Sequence, residues 1–250
     1  MPVINRIADF TADMTAWRRD LHAHPETAFE ERRTAGIVAR LLESFGIAIE
    51  RDIARTGVIG TLTGSRPGSR PGGRAIALRA DMDALPIEEK TGLPYTSRHS
   101  GRMHACGHDG HTAMLLGAAK YLAETRNFAG TVHFVFQPAE ENEGGARVMI
   151  EEGVLDRYPV EAIYGMHNWP GLPVGQFAIR PGPMMAAYDV FEIDIQGRGG
   201  HGAMPHLGID PIVAAAQIVN GLQTIASRNI DPLEGAVVSV TQIHGGEPGT

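Results

Sequence analysis

Hydrophobic positions open the chain at helical spacing. Ile4, Ile7, Phe10, Met14, Trp17 and Leu21 recur at steps of three and four, which predicts an amphipathic helix with one face on a core. Pro25 closes it, because proline has no N–H to continue the ladder. Ile37, Val38, Leu41, Leu42 and Phe45 predict a second helix, ended by Gly46 in the left-handed conformation. Residues 57–63 and 75–80 read as strands, and the Gly-, Ser-, Arg- and Pro-rich stretch 64–74 between them reads as a solvated hairpin or loop.

Further on, helix and strand alternate. A helix is expected from Gly107 through about Thr125, with Met114, Leu115, Ala118, Ala119 and Leu122 turned inward. Thr131–Phe136 is a short strand, 144–153 a helix, and Ala162–Met166 another apolar strand. The alternation predicts an α/β domain with a mostly parallel sheet over residues 1–186. Beyond it the period changes. Tyr188, Val190, Glu192 and Asp194 alternate with Asp189, Phe191, Ile193 and Ile195, a half-buried strand. Asp210-Pro211 starts a helix, with Asp as N-cap and Pro at the first helical position. Ile212, Ile218, Leu222 and Ile225 share its face, and Val237–Ile243 is a second strand. Residues 187–250 therefore read as a separate strand–helix–strand α+β unit.

Composition narrows the function classes. The 250 residues are 43% hydrophobic and 20% charged, enough apolar material for one or two cores. A net charge of −7 without a basic stripe argues against nucleic acid as a partner. Residues 1–10 hold no apolar core of a signal peptide, and no run of about 18 apolar residues exists to span a membrane. One Cys excludes an internal disulfide and fits a reducing compartment, so a cytoplasmic location is expected.

The eleven His direct attention to chemistry. His104, Cys106, His108, Asp109 and His111 fall within eight residues at the entry to a helix. Imidazoles and a thiolate ligate zinc, manganese and related metals. A polar helix cap with a buried Cys is the plainer alternative. Glu140-Glu141 follows the strand ending at Phe136, where open α/β sheets gather ligands. One carboxylate there can bind metal while the other takes a proton, although the pair alone reads as an exposed acidic loop. His167 follows another strand, and Asp81-Met82-Asp83 follows 75–80, where a carboxylate can ligate, orient a ligand His, or cap a turn. Taken together, four donor-bearing segments at strand ends or a helix start favour a metal site. The Gly-rich turn Gly197–His206 carries His201, aimed at a substrate carbonyl or simply exposed on a hairpin.

These strings resemble the M20 metallopeptidase superfamily, and within it the N-acyl-amino-acid amidohydrolase branch that includes hippurate hydrolases, aminoacylase-like enzymes and plant auxin-conjugate hydrolases. The matching strings are Arg19 to His22 with Pro25-Glu26, Arg79 to Pro86, Met103 to His111, Gln137 to Glu141 with Gly144 to Ala146, Gly165 to His167, and Gly199 to Ala203 with Pro205-His206. The resemblance implies a metallo-exopeptidase-like catalytic domain interrupted by a ferredoxin-like lid that dimerises, residues 187–250 being the lid's first half. It implies two divalent ions, Mn2+ or Zn2+, with Co2+ or Ni2+ also compatible. It makes Cys106, His108, Glu141 and His167 metal ligands, Glu140 the general base, Asp83 a support for the site and His201 an oxyanion stabiliser. The implied reaction cleaves the amide of a small N-acyl amino acid into a carboxylic acid and an amino acid.

The resemblance also implies one further His ligand from a segment after the lid, and a second strand–helix pair in the lid. Residues up to Thr250 supply neither, and His244 falls in the lid strand. The chain is thus expected to stop short of such an enzyme. Its alternatives are an inactive metal-binding or dimer-forming fragment, and a related M20 peptidase or deacylase.

Overall fold

A computed structural model of the chain describes residues 5–70 and 72–246. Ile4 of the first predicted helix, Pro71 of the turn-rich stretch and residues 247–250 of the predicted lid lie outside the described residues. The chain divides into two compact units, Met1–Ala178 and Ile179–Thr250.

The first unit is built on a five-stranded sheet of order β1-β2-β4-β3-β5. Its strands are β1 (Ala48–Ile53), β2 (Gly57–Thr63), β3 (Ala75–Asp81), β4 (Thr131–Gln137) and β5 (Ala162–Gly165). The α/β expectation holds, with a sheet that is mixed: β3 runs parallel to β4 and β5, whereas β1–β2 and β2–β4 are antiparallel. Stretch 64–74 is not a hairpin, because β4 lies between β2 and β3. It crosses over the start of β4, where Gly64 N–H donates to Gly130 O and Thr131 N–H to Arg74 O. Strand β1, AIERDI, lacks a clean alternation and escaped the sequence reading. It is an edge strand with a bulge between Arg51 and Ile53, where Asp52 takes φ of +61°.

Alternation on β4 sorts the two faces. Val132, Phe134 and Phe136 point to one side and pack with Val38, Leu42, Leu115, Leu116 and Ala119. Those residues come from α3 (Arg32–Ser44) and α4 (His108–Thr125), and Trp17 of α2 (Thr11–Ala23) packs against them. Each fully buried Phe in this layer contributes about 1.5–3 kcal/mol by leaving water. The opposite face carries Ile59 and Val135 against Met149 and Val154, from α5 (Gly145–Glu151) and α6 (Val154–Arg157).

Two element boundaries depart from the reading of the sequence. The first helix is interrupted: α1 (Asn5–Ala8) ends before α2 begins, with buried Phe10 at the junction. Cationic Arg6 and Lys120 stand over the Phe10 ring at this junction. The helix expected at 144–153 forms as α5, and a further short helix that the sequence reading did not give, α6, follows Gly153 at φ +75°. By contrast α3 does end at Gly46, with φ of +72°.

In the second unit α7 (Pro211–Thr224) starts as expected: the Asp210 carboxylate accepts the N–H groups of Ile212 and Val213. A π-helical turn, Ile225–Asn229, follows it. The strands expected at 188–195 and 237–243 do not form among the described residues. Only an isolated bridge joins Arg198 and Ile209. A strand requires a ladder of backbone hydrogen bonds, and among the described residues Val190, Phe191 and Val237 are exposed.

Candidate metal centre

Parallel pairing brings the chemistry together. Asp81 stands opposite Gln137, and Arg79 opposite both Val135 and Gly165. The carboxyl ends of β3, β4 and β5 therefore lie along one edge of the sheet, and the segments that leave them carry Asp83, Glu140-Glu141 and His167. The start of α4 adds Cys106 and His108 to the same place. Its N-cap, Gly107, has φ of +100°, and a Cβ there would meet the Asn168 side chain at 2.5 Å. A glycine is needed for both reasons.

The turn that presents the two glutamates is strained. Ala139 is buried at φ +52°, an uncommon conformation for a side chain with a Cβ. Its N–H donates to Glu31 Oε1 at 2.9 Å, and its carbonyl accepts Gly145 N–H at 2.8 Å. The Asp83 carboxylate accepts the N–H of Glu140 and of Glu141, each at 3.0 Å. Glu31 is fully buried, also accepts the Thr56 hydroxyl, and has its carboxyl pushed up first by burial. Nothing in the sequence pattern pointed to Glu31 as a support of this turn.

Three sets of donor atoms cluster within 4.8 Å of one another: Cys106–His108–His167, His108–Glu140–Glu141, and Asp81–His108–His111. His108 is the shared member. Its Nδ1 lies 3.3 Å from Asp83 Oδ1, so in the neutral ring the proton sits on Nδ1 and Nε2 keeps its lone pair, while burial lowers the imidazole and the Asp83 hydrogen bond with the nearby carboxylates raises it overall. Nε2 is buried without a hydrogen-bond partner among the described residues. It lies 3.7 Å from Glu140 Oε2, 3.6 Å from Glu141 Oε1 and 3.6 Å from Asp81 Oδ2. Cys106 Sγ is 3.3 Å from His167 Nε2. The Cys106 thiol is pushed up to about 12 by burial and then by the surrounding Glu141, Asp81 and Glu140. Burial also pushes the Glu141 carboxyl up. A pocket that opposes so much negative charge while aiming a bare imidazole nitrogen inward fits a divalent cation, which reverses both effects.

All seven residues singled out from the sequence can be placed. Cys106, His108, Glu140, Glu141, His167 and Asp83 meet at the sheet edge. His201 belongs to the second unit, where Ala203 N–H donates to its Nδ1 at 3.1 Å. Of the remaining His of the motif, His111 belongs to the Asp81–His108–His111 set but has both nitrogens engaged, and His104 lies outside all three sets, as does His22 of α2. His111 Nδ1 sits 2.6 Å from Asp81 Oδ1, and its Nε2 accepts Asn168 N–H at 3.0 Å. His104 turns inward, buried, with neither ring nitrogen partnered among the described residues, and burial lowers it to about 4. Asp109 turns away to accept Arg18 and to pair with His22, which in turn reaches Glu89. His22 was part of a matching string, but its role as a buried partner of Asp109 needed the packing of α2 on α4.

Carboxylate and imidazole donors at the strand ends, joined by the thiol and imidazole at the start of α4, mark a candidate metal site in an α/β protein. The family model of Peptidase family M20/M25/M40 matches residues 77–250, and the chain belongs to that family. It is 50% identical over 246 residues, 97% of this chain and 65% of the relative, to an N-acyl-L-amino acid amidohydrolase of Geobacillus stearothermophilus. It is 44% identical to the hippurate hydrolase of Campylobacter jejuni, over 98% of this chain and 63% of that protein. Among solved structures it is similar to a dinuclear metal-binding M20 peptidase of Bacillus subtilis, with a TM-score of 0.66 and 42% identity over 87% of this chain and 57% of the other. The chain spans less than two thirds of the length of each.

Proposed function

We propose that the protein acts as a metal-dependent amidohydrolase on N-acyl amino acids of the hippurate or N-acetyl type, releasing a carboxylic acid and a free amino acid. The observation that carries this reading is His108 Nε2, buried and bare, facing Glu140 and Glu141 beside Cys106. The names of the similar amidohydrolase and hippurate hydrolase supply the substrate class. The similar dinuclear peptidase supports two divalent ions here, and a mixed sulfur, nitrogen and oxygen donor set suits Mn2+ or Zn2+, with Co2+ or Ni2+ as alternatives.

Cys106, His108, Glu141 and His167 would hold the ions. Bound there, divalent cations acidify water and polarise a carbonyl. Glu140 is 42% exposed at its side chain, so it can meet a water that its buried neighbours cannot. In this reading Glu140 takes a proton as the water oxygen bonds to the amide carbon. It then delivers that proton to the nitrogen as the C–N bond breaks. Asp83 fixes both the Glu140–Glu141 turn and the His108 tautomer. His201, whose Nδ1 accepts a backbone N–H, has Nε2–H left to donate to the developing oxyanion. Residues 1–186 then form the catalytic part and 187–250 the first half of a lid through which a homodimer forms. A thiol ligand also suits a reducing cytoplasm.

The test is release of free amino acid from hippurate and a panel of N-acetyl amino acids by the purified chain, with and without added Mn2+ or Zn2+. Metal-dependent release is expected. Release independent of metal, or none from any N-acyl amino acid at any metal concentration, overturns the proposal.

A further inference from the structure

His111 stands within the donor cluster yet both of its nitrogens are engaged. Asn168 N–H donates to Nε2 at 3.0 Å, so Nε2 carries the lone pair and Nδ1 carries the proton. That proton is directed at Asp81 Oδ1, 2.6 Å away. Asp81 is itself braced by Arg79 Nη1 at 2.7 Å. The His111 ring is buried and meets the His167 ring edge-on, with centroids 4.6 Å apart and planes at 70°. His167, in contrast, sits on an exposed segment just past the edge strand β5. Its Nδ1–H donates to Asn168 O at 2.5 Å, which leaves Nε2 facing Cys106 Sγ. Residue Asn168 is therefore gripped on both sides, its N–H by His111 and its carbonyl by His167.

We propose that His111 is a positioning residue and not a metal ligand: through the Asn168 backbone and the face-to-edge contact it sets the placement of His167 beside Cys106. The proposal rests on the metal-centre reading above. Its physical basis is preorganisation, since an imidazole on an otherwise exposed segment must be ordered before it can ligate, and residues that orient ligands typically change metal affinity by about 10- to 100-fold.

Two substitutions separate the two hydrogen bonds. In His111→Gln the amide oxygen reaches the position of Nε2 and can accept Asn168 N–H. In His111→Asn the amide nitrogen takes the position of Nδ1 and can donate to Asp81, but nothing reaches Asn168. Co2+ affinity of the purified chain is read by chelator competition, together with the thiolate-to-cobalt absorption of Cys106. Expected are near wild-type affinity for H111Q, a loss of about 10- to 100-fold for H111N, and no further loss when H111N is added to His167→Ala. Equal affinity for H111N and wild type, or losses that multiply in the double variant, overturn the positioning role while leaving the metal centre standing. A wild-type chain that binds no Co2+ overturns both. Independently of metal and of variant folding, 15N spectra of the metal-free wild type must show His111 protonated at Nδ1; the opposite tautomer overturns the proposal.

Discussion

Asp83 Oδ2 accepts the backbone N–H of Glu141 at 3.0 Å, from a strand end 58 residues away in sequence. The other oxygen accepts Glu140 N–H and lies 3.3 Å from His108 Nδ1. Burial alone pushes the Asp83 carboxyl up, but His108 and the two N–H groups outweigh it and hold the group below the usual carboxylate range. One ionised carboxylate thus ties the turn after β4 to the start of α4. In Asp83→Asn the amide can accept only one of these N–H groups, and its NH2 confronts another donor. Leaving a buried N–H unpaired costs about 1–3 kcal/mol, and a loss of about 10- to 100-fold in metal affinity is expected for a group that orients ligands. Urea unfolding and chelator competition check both; wild-type values for D83N would dismiss Asp83 as a support.

Glu140 and Glu141 are neighbours with different surroundings. Glu140 is exposed, while the Glu141 side chain is largely covered. Glu140→Gln is therefore expected to retain metal and lose about 10²- to 10⁴-fold in turnover. Metal content by elemental analysis and hydrolysis on the same preparation decide it, and an unchanged rate removes Glu140 from the chemistry.

Gly145 permits the glutamate turn. A Cβ there would lie 1.9 Å from Pro138 O and 3.2 Å from the Ala139 Cβ. Gly145→Ala is expected to destabilise by about 1–3 kcal/mol, as overpacking does, and to lower metal content because the turn must shift. Gly110, where a Cβ meets nothing within 4 Å, is the control: Gly110→Ala in α4 should be neutral or stabilising by about 0.5–1 kcal/mol. Chemical denaturation of the two variants should separate them, and equal stabilities would refute the clash.

His22 gives the metal-free fold a pH dependence. Its hydrogen bond to Asp109 raises it, burial opposes, and Glu89 adds to the rise. A folded value above the unfolded one stabilises fully below about pH 6.5, and the contribution is lost as pH rises through the folded value. Burial raises Glu89, but Thr91, Ser97 and His22 together hold it at about 2. Its contribution is present above an unfolded value of about 4.3 and lost as pH falls through the folded one. The stability advantage of wild type over His22→Gln should therefore shrink as pH rises above about 6.5. Urea titrations across pH 6 to 9 test this, and a constant difference would show that His22 does not titrate with folding.

Much of this arrangement was legible in the order of residues. Periodicity located α4 to within a residue and placed β2, β3 and β4, because buried helices and central strands impose their periods on the apolar positions. Asp210 as N-cap and Gly46 as helix terminator were readable because capping and left-handed backbone are local requirements. Donor residues directly after strands marked the site, since strand ends are where an α/β sheet exposes backbone and side chains together. What the tertiary structure decided is the pairing of these local pieces. Antiparallel β2 against β4, the edge strand β1 with its bulge, and the failure of 189–195 and 237–243 to form strands among the described residues all depend on which neighbour donates hydrogen bonds. So does the sorting of His104, His108 and His111, three imidazoles in one short motif. One is buried with no hydrogen-bond partner among the described residues, one directs Nε2 toward the carboxylates, and one is committed to Asp81 and Asn168. Residue type sets what an imidazole can do; only the groups brought to its two nitrogens by distant segments decide which of these it does.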